Sequence, residues 1–210
     1  MEEKIKIPPA KSIADLLKQN FKTFDFQGDF LSSFGKPETN GAWLIWGESA
    51  NGKTDFSLQV AKYLSTFGKV YYNTLEERGR ESFRLACLRN NIQACGNRFS
   101  YESENYEQMM LRLRKKRSAK IVIIDSLQYL RIGSKQYDEM RRTLPNTLFI
   151  FISHAKGSQP KGALADEIRY DADVKVQIKD FTARVQSRFG GGQPFIIWEE
   201  GARNAELKLT

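Results

Sequence analysis

An α/β fold is predicted for this chain, with a mostly parallel central sheet flanked by helices and antiparallel strands at its C-terminal edge. Three observations predict it. KIVIIDS (120–126) and TLFIFIS (147–153) are continuous apolar runs rather than alternating ones, so these strands are buried on both faces, as in a parallel sheet. Stretches with helical spacing lie between the strands and supply the right-handed crossovers that parallel pairing needs. After residue 172 the strands shorten and a Gly-Gly-Gly turn intervenes, which marks an antiparallel extension.

Taken in order, residues 1–41 read as an N-terminal arm, a linker or oligomerisation segment. It holds Pro8-Pro9, a short amphipathic stretch (Ile13, Leu16, Leu17), phenylalanines at 21, 24, 26, 30 and 34, and the loop chemistry of GKPETNG. The main domain spans 42–210. AWLIW (42–46) is a short apolar run that stops at Gly47, and Phe56, Val60 and Tyr63 share one side of a helix over 55–63. KVYYNTL (69–75) is a second strand and 81–90 a second helix. RFSYES (98–103) is a short strand, followed by a helix over 105–117. The strands at 120–126 and 147–153 are separated by a loop. DVKVQIK (173–179), TARVQSRF (182–189) and PFIIWEE (194–200) complete the sheet at its edge.

Composition bounds the function. With 40% hydrophobic and 28% charged residues the chain is neither disordered nor a coiled coil. No run of about 18 apolar residues is present to span a membrane. MEEKIKIPPAK has no apolar signal core, so a cytoplasmic protein is expected, and Cys87 and Cys95 read as buried thiols. His154 is the only histidine, which excludes multi-histidine metal sites. The net charge of +8 is uneven, since residues 51–120 carry 14 Lys+Arg against 7 Asp+Glu. A basic middle favours a polyanionic partner, nucleic acid first.

The motif that carries chemistry is Gly47-Glu48-Ser49-Ala50-Asn51-Gly52-Lys53-Thr54, a G-x-x-x-x-G-K-[ST] loop between an apolar strand and a helix that opens with Asp55. Glycines let the backbone curl so that N–H groups point at phosphates, and the helix N-terminus adds the positive end of its dipole. Lys53 is placed to bridge the β- and γ-phosphates of ATP, and the Thr54 hydroxyl to hold Mg²⁺. Asp125 ends the IVII strand, where open α/β sheets put ligand-binding groups, and is the second Mg²⁺ group. Hydrolysis also needs a carboxylate on the attacking water. Glu76 and Glu77 both end the second strand, and Glu76 is chosen.

GESANGKT, TLEER, IVIIDS, FISHAKG and SRFG, in that order, resemble the RecA-like ATPases over about residues 42–200. TLEER is similar to the strand-end glutamate segment of replicative helicases and RadA-type proteins. The resemblance implies that Glu76 is the catalytic glutamate and that His154 is a γ-phosphate sensor. It also implies that Arg188, in a segment similar to K-N-R-F-G, acts on a neighbouring subunit's nucleotide in a ring or filament. The family's lysine is Gln186 here. The chain's economy resembles single-domain RecA-like proteins of phages and mobile elements that act in recombination, annealing or repair.

In such assemblies two loops at the C-terminal ends of the strands hold a single DNA strand. The matching segments are 131–146, with Arg131, Lys135, Arg141 and Arg142, and the glycine-spaced 155–167, with Lys156 and Lys161. Tyr137 is the one aromatic in either. RLRKKRSAK (112–120) reads as a solvated helix end. The expectation is an ATPase stimulated by single-stranded DNA. A single-strand-binding protein or a helicase is the expected protein partner. Two rivals stand beside this reading: a KaiC-type regulatory ATPase that binds protein, and a loader or accessory ATPase for a replicative helicase.

Overall fold

The structure, a computed structural model, describes residues 9–207. The first eight residues of the predicted arm, Pro8 included, lie outside the described residues. The arm holds α1 (Ile13–Leu17) and α2 (Gly28–Phe34). The first strand-helix-strand unit is β1 (Gly41–Gly47), α3 (Lys53–Leu64) and β2 (Val70–Thr74). After α4 (Glu81–Arg89) a 3₁₀ segment leads into β3 (Phe99–Glu102), α5 (Tyr106–Leu113) and β4 (Ile121–Asp125). Two helices, α6 (Leu127–Leu130) and α7 (Ser134–Thr143), precede β5 (Leu148–Lys156), β6 (Gln159–Pro160) and α8 (Ala163–Asp171). The chain finishes with β7 (Val174–Lys179), β8 (Thr182–Ser187), β9 (Phe195–Ile196) and α9 (Glu199–Leu207).

The sheet runs β3-β2-β4-β5-β1-β7-β8-β9, with β6 paired to the end of β5. All pairs from β3 to β7 are parallel, and β7-β8 and β8-β9 are antiparallel, as the sequence predicts. Strands β1, β2 and β4 are buried along their whole length because helices cover both faces. Alternate residues of β1 divide between the two cores: Trp43 and Ile45 face α3, while Ala42, Leu44 and Trp46 face the side of α5, α7 and α8.

Four expectations are corrected. The segment 131–146 is not a loop, because α7 fills it. Tyr137, Met140 and Leu144 recur at helical spacing and pack into the second core, and Gln136 Oε1 accepts from the Gly133 N–H at the helix start, 2.8 Å away. The helix expected over 105–117 stops at Leu113, where Arg114 caps it. Arg117 is left-handed (φ 65°) and Ser118 Oγ donates to the Leu113 carbonyl, so the consecutive cations 114–117 form a turn. Of PFIIWEE only Phe195 and Ile196 pair in the sheet. The chain then turns into α9, with Gly201 so close beneath Trp198 that a Cβ there would collide with the indole. The segment 155–167 is an ordered β5-β6 hairpin running into α8, with the Lys161 N–H donating to the His154 carbonyl.

The arm splits in two. α1 buries none of its residues, although Ser12 and Asp15 close a capping box on it. From Phe24 onward the chain joins the core: Phe24, Phe26 and Phe34 are buried, and Phe34 stacks on Trp43 at 5.3 Å. α2 also grips the segment after β8. Gly191 lies so close to α2 that a Cβ would meet the Ser33 carbonyl oxygen at 2.6 Å, and Ser187 Oγ donates to the Phe34 carbonyl.

Candidate active site

The tops of four neighbouring strands, β2, β4, β5 and β1, converge on one crevice, so residues far apart in sequence arrive together. The loop 47–54 leaves β1 through Gly47, whose backbone crosses Ile178 so tightly that a Cβ would meet the Ile178 carbonyl oxygen at 2.5 Å. Ala50 (φ 62°) and Gly52 (φ 93°) are left-handed and curl the loop over the N-terminus of α3. A cavity of about 460 Å³ opens there, lined by Ser49, Ala50, Gly52, Lys53, Thr54, Asp55, Glu76, Glu77 and Asp125.

Lys53 arches back over the loop, with Nζ donating to the Glu48 carbonyl at 2.7 Å. Burial lowers its pKa, and the carboxylates of Glu76, Asp125 and Glu48 oppose that shift. Asp125 is buried at the end of β4. Burial pushes its pKa up to about 6, against the hydrogen bond it accepts from Tyr72 Oη at 2.7 Å. Ser57 Oγ holds the other side of the Tyr72 hydroxyl at 2.8 Å, so the phenol is fixed between α3 and β4. The Asp125–Ser126 peptide is cis.

The adjacent glutamates point to different partners. Glu76 reaches across the end of β4 to His154 on β5, with Oε2 to Nε2 at 2.8 Å. Glu77 turns to the loop: its Oε1 accepts from Thr54 Oγ1 at 3.4 Å, and its Oε2 is buried without a hydrogen-bond partner among the described residues. This oxygen, the Thr54 hydroxyl and Asp125 make a hard-oxygen donor set suited to Mg²⁺. Lys53 and the curled loop suit a polyphosphate, so the residues present fit MgATP. Sequence alone does not reveal that Glu77 is the one that turns toward Thr54, because two adjacent acids after a strand give no sign of which one points inward.

Beside the phosphate loop lies an apolar slot of about 540 Å³, walled by Phe181, Ile197 and Trp198 and closed by Asp55, Gln59, Arg89 and Asn90. Asp180 and Phe181 form the β7-β8 turn, both left-handed, and the Asp180 N–H donates to Asn51 Oδ1 at 2.8 Å, which clips the turn to the phosphate loop. Phe181 meets Trp198 edge-on at 5.0 Å. The slot has the size and aromatic walls for a purine base. A bulky residue in a two-residue hairpin turn is the one sequence signal that marks Phe181. Asp55, predicted to touch the nucleotide, lines the cavity, but its carboxylate is held by Arg89 and Asn90.

The remaining predicted residues divide. Lys156 and Lys161 are exposed on the β5-β6 hairpin at the top of the sheet, and Arg131, Lys135 and Arg142 are exposed around α7. Arg141 is committed instead to Asp171, at 2.7 Å, and Tyr137 is buried against Phe151, so neither offers the surface expected of it. Arg188 lies at the opposite end of the sheet from the phosphate loop: β8 ends with Ser187 paired to Val174, whereas Gly47 pairs with Ile178. Arg188 sits 3.5 Å from Asp173 and donates to the Tyr170 carbonyl. Cys87 and Cys95 are free and half-buried.

No protein-family model matches the chain, and no curated protein matches its sequence. Solved structures match its fold. The flagellar accessory protein FlaH from Methanocaldococcus jannaschii is similar with a TM-score of 0.62 at 14% identity, over 83% of this chain and 92% of that one. The KaiC-like protein PH0186 from Pyrococcus horikoshii OT3 is similar at 0.52 and 18%, over 72% and 79%. A third solved structure, an ATPase domain, is similar at 0.50 and 14%, over 74% and 80%.

Proposed function

From a chain with the RecA-like P-loop ATPase fold, we propose a Mg²⁺-dependent ATPase that works on single-stranded DNA as a ring or filament, in recombination, annealing or repair. The observation that carries the reading is the convergence of Lys53, Thr54, Glu76, Glu77 and Asp125 on one cavity. Lys53 gives up its contact with the Glu48 carbonyl to hold the γ-phosphate. Thr54 binds the metal, with Asp125 and Glu77 behind it, and Phe181 and Trp198 hold the base. Mg²⁺, when bound, neutralises charge on the β- and γ-phosphates. Glu76 leaves His154 to orient and deprotonate the attacking water, which frees His154 to report on the γ-phosphate. Arg188 serves a neighbour's nucleotide, and Lys156, Lys161, Arg131, Lys135 and Arg142 face the strand.

A second reading, a regulatory ATPase that binds protein, gains from one observation. Arg141 and Tyr137 are spent inside the fold, which thins the surface expected to meet DNA. The presence of a KaiC-like protein among the similar folds fits that reading too. ATP hydrolysis measured with and without single-stranded DNA separates them. Stimulation supports the first, and hydrolysis indifferent to DNA supports the second. Loss of all hydrolysis in Lys53→Ala is required by both, and normal turnover in that variant would refute both.

A further inference from the structure

An uncommitted groove lies at the far end of the sheet from the phosphate loop. A cavity of about 720 Å³ opens beneath the N-terminal ends of β1, β2, β4 and β5. Phe21, Phe67, Lys22, Lys69 and Lys120 line it, and Glu38 is the one carboxylate among the lining residues. We propose that this groove binds single-stranded nucleic acid, bases on Phe21 and Phe67 and phosphates on the lysines. The proposal shares a ligand class with the reading above but uses a different surface, so either can fail alone.

Charge is the first argument. Val70 and Ile121 are partners in the parallel β2-β4 ladder, so Lys69 and Lys120, one residue before each, enter the sheet side by side. Neighbouring strands are about 4.8 Å apart, and like charges facing one another there are destabilising. Among the described residues neither lysine has an acidic partner, and neither does Lys22. Three lysines that share the groove with one carboxylate, Glu38, and form no ion pair among the described residues fit a polyanion that supplies the counter-charge.

The aromatic rings are the second argument, and they choose among polyanions. Phe67 is 41% exposed, yet it is held from behind by Phe24 at 5.3 Å, Tyr63 at 5.5 Å and Phe26 at 5.6 Å. It is a fixed platform rather than a loose side chain. Phe21, 52% exposed, stands on the same groove. Rings interleaved with lysines suit unpaired bases, which stack without regard to sequence. An acidic peptide would use the lysines and leave the rings in water. A duplex keeps its bases inside.

The test uses the full chain without nucleotide, in a Lys156→Ala/Lys161→Ala background so that the upper hairpin cannot contribute. Anisotropy of a labelled oligothymidylate gives affinity across a salt series. Adding Lys69→Ala/Lys120→Ala should flatten the slope of log K against log salt by about 1.4, two phosphate contacts on a single strand. Adding Phe21→Ala should weaken binding about tenfold at an unchanged slope, the loss of one stacked base. Both changes are at exposed positions, and a thermal midpoint that does not fall shows that the fold is kept. Unchanged affinity and slope in both variants would overturn the proposal. So would a background variant that no longer binds the oligonucleotide while the parent does. Displacement of the oligonucleotide by poly-glutamate as readily as by unlabelled oligothymidylate would also overturn it, and would reassign the groove to an acidic protein.

Discussion

Glu76 and Glu77 leave β2 as neighbours, and replacing each with glutamine separates the two roles assigned to them. Glu76→Gln keeps the length of the side chain and a hydrogen bond to His154, now 2.8 Å away, but removes the base. ATP affinity should hold, because among the described residues the Glu76 carboxylate is hydrogen-bonded to His154 and acts on the loop only through its charge beside Lys53. Turnover should fall by about 10²–10⁴, the usual worth of a positioned general base, or about 3–5 kcal/mol of barrier. Glu77→Gln acts elsewhere. It weakens the acceptor for Thr54 Oγ1 at 3.4 Å and replaces the buried, unpartnered Oε2 on the metal side. The Mg²⁺ concentration needed for half-maximal rate should rise, while the rate at saturating Mg²⁺ changes less than in Glu76→Gln. Phosphate release measured over a grid of ATP and Mg²⁺ concentrations reads both effects. Near-normal turnover in Glu76→Gln together with a collapse in Glu77→Gln would refute the assignment and exchange the two roles.

Arg188→Ala should bind ATP but hydrolyse it about 10³-fold more slowly, and mixing it with Glu76→Gln should restore part of the activity, because some interfaces then pair an intact Glu76 with an intact Arg188. Specific activity independent of concentration, with no rescue on mixing, would place Arg188 in a structural role with Asp173 and Tyr170. Phe34→Ala should cost about 3–5 kcal/mol in urea unfolding, since the ring is buried between Phe26, Phe30, Trp43 and Phe56. A loss below about 1 kcal/mol would make residues 24–34 a detachable arm instead. Burial pushes the Cys87 thiol up to about 11, so its alkylation should climb about tenfold per pH unit from neutrality to near that value. The stability that the protonated Cys87 thiol contributes is whole below the ordinary thiol range and is lost as pH rises through about 11. Alkylation that levels off near pH 9 would contradict the burial of that sulfur.

What can be read from sequence is set by physics that acts locally. β4 and β5 announce themselves because burial on two faces forbids polar residues for several positions in a row. The phosphate loop does so because Gly47 crosses Ile178 too closely for a side chain, and only a strand before and a helix after put its N–H groups to use. α7 is legible in principle, with Tyr137, Met140 and Leu144 at helical spacing, but six charged or amide side chains between residues 135 and 142 conceal three apolar ones. α9 is less legible, since PFIIWEE has strand composition and only Phe195 and Ile196 find a partner strand.

The site shows the harder limit. Which side chains line a strand end is local, but which of them meet depends on the order of strands in the sheet. Glu76 and His154 are 78 positions apart and touch only because β4 alone lies between β2 and β5. The same strand order sends Glu77 toward Thr54, since a chain leaving β2 over the end of β4 must turn one of two successive carboxylates outward along the crevice and the other inward to the loop. Phe181 and Trp198 depend on it again: β7 must lie beside β1 for its hairpin turn to reach Asn51, and α9 must fold back over that turn for Trp198 to meet Phe181. The phosphate loop is therefore written in a short motif, while which acid meets His154, which meets Thr54 and which rings wall the slot are written in topology. The groove beneath the strands belongs to the second kind. Lys69 and Lys120 are 51 positions apart and unremarkable in sequence, and only the register of β2 on β4 makes them a pair of adjacent positive charges.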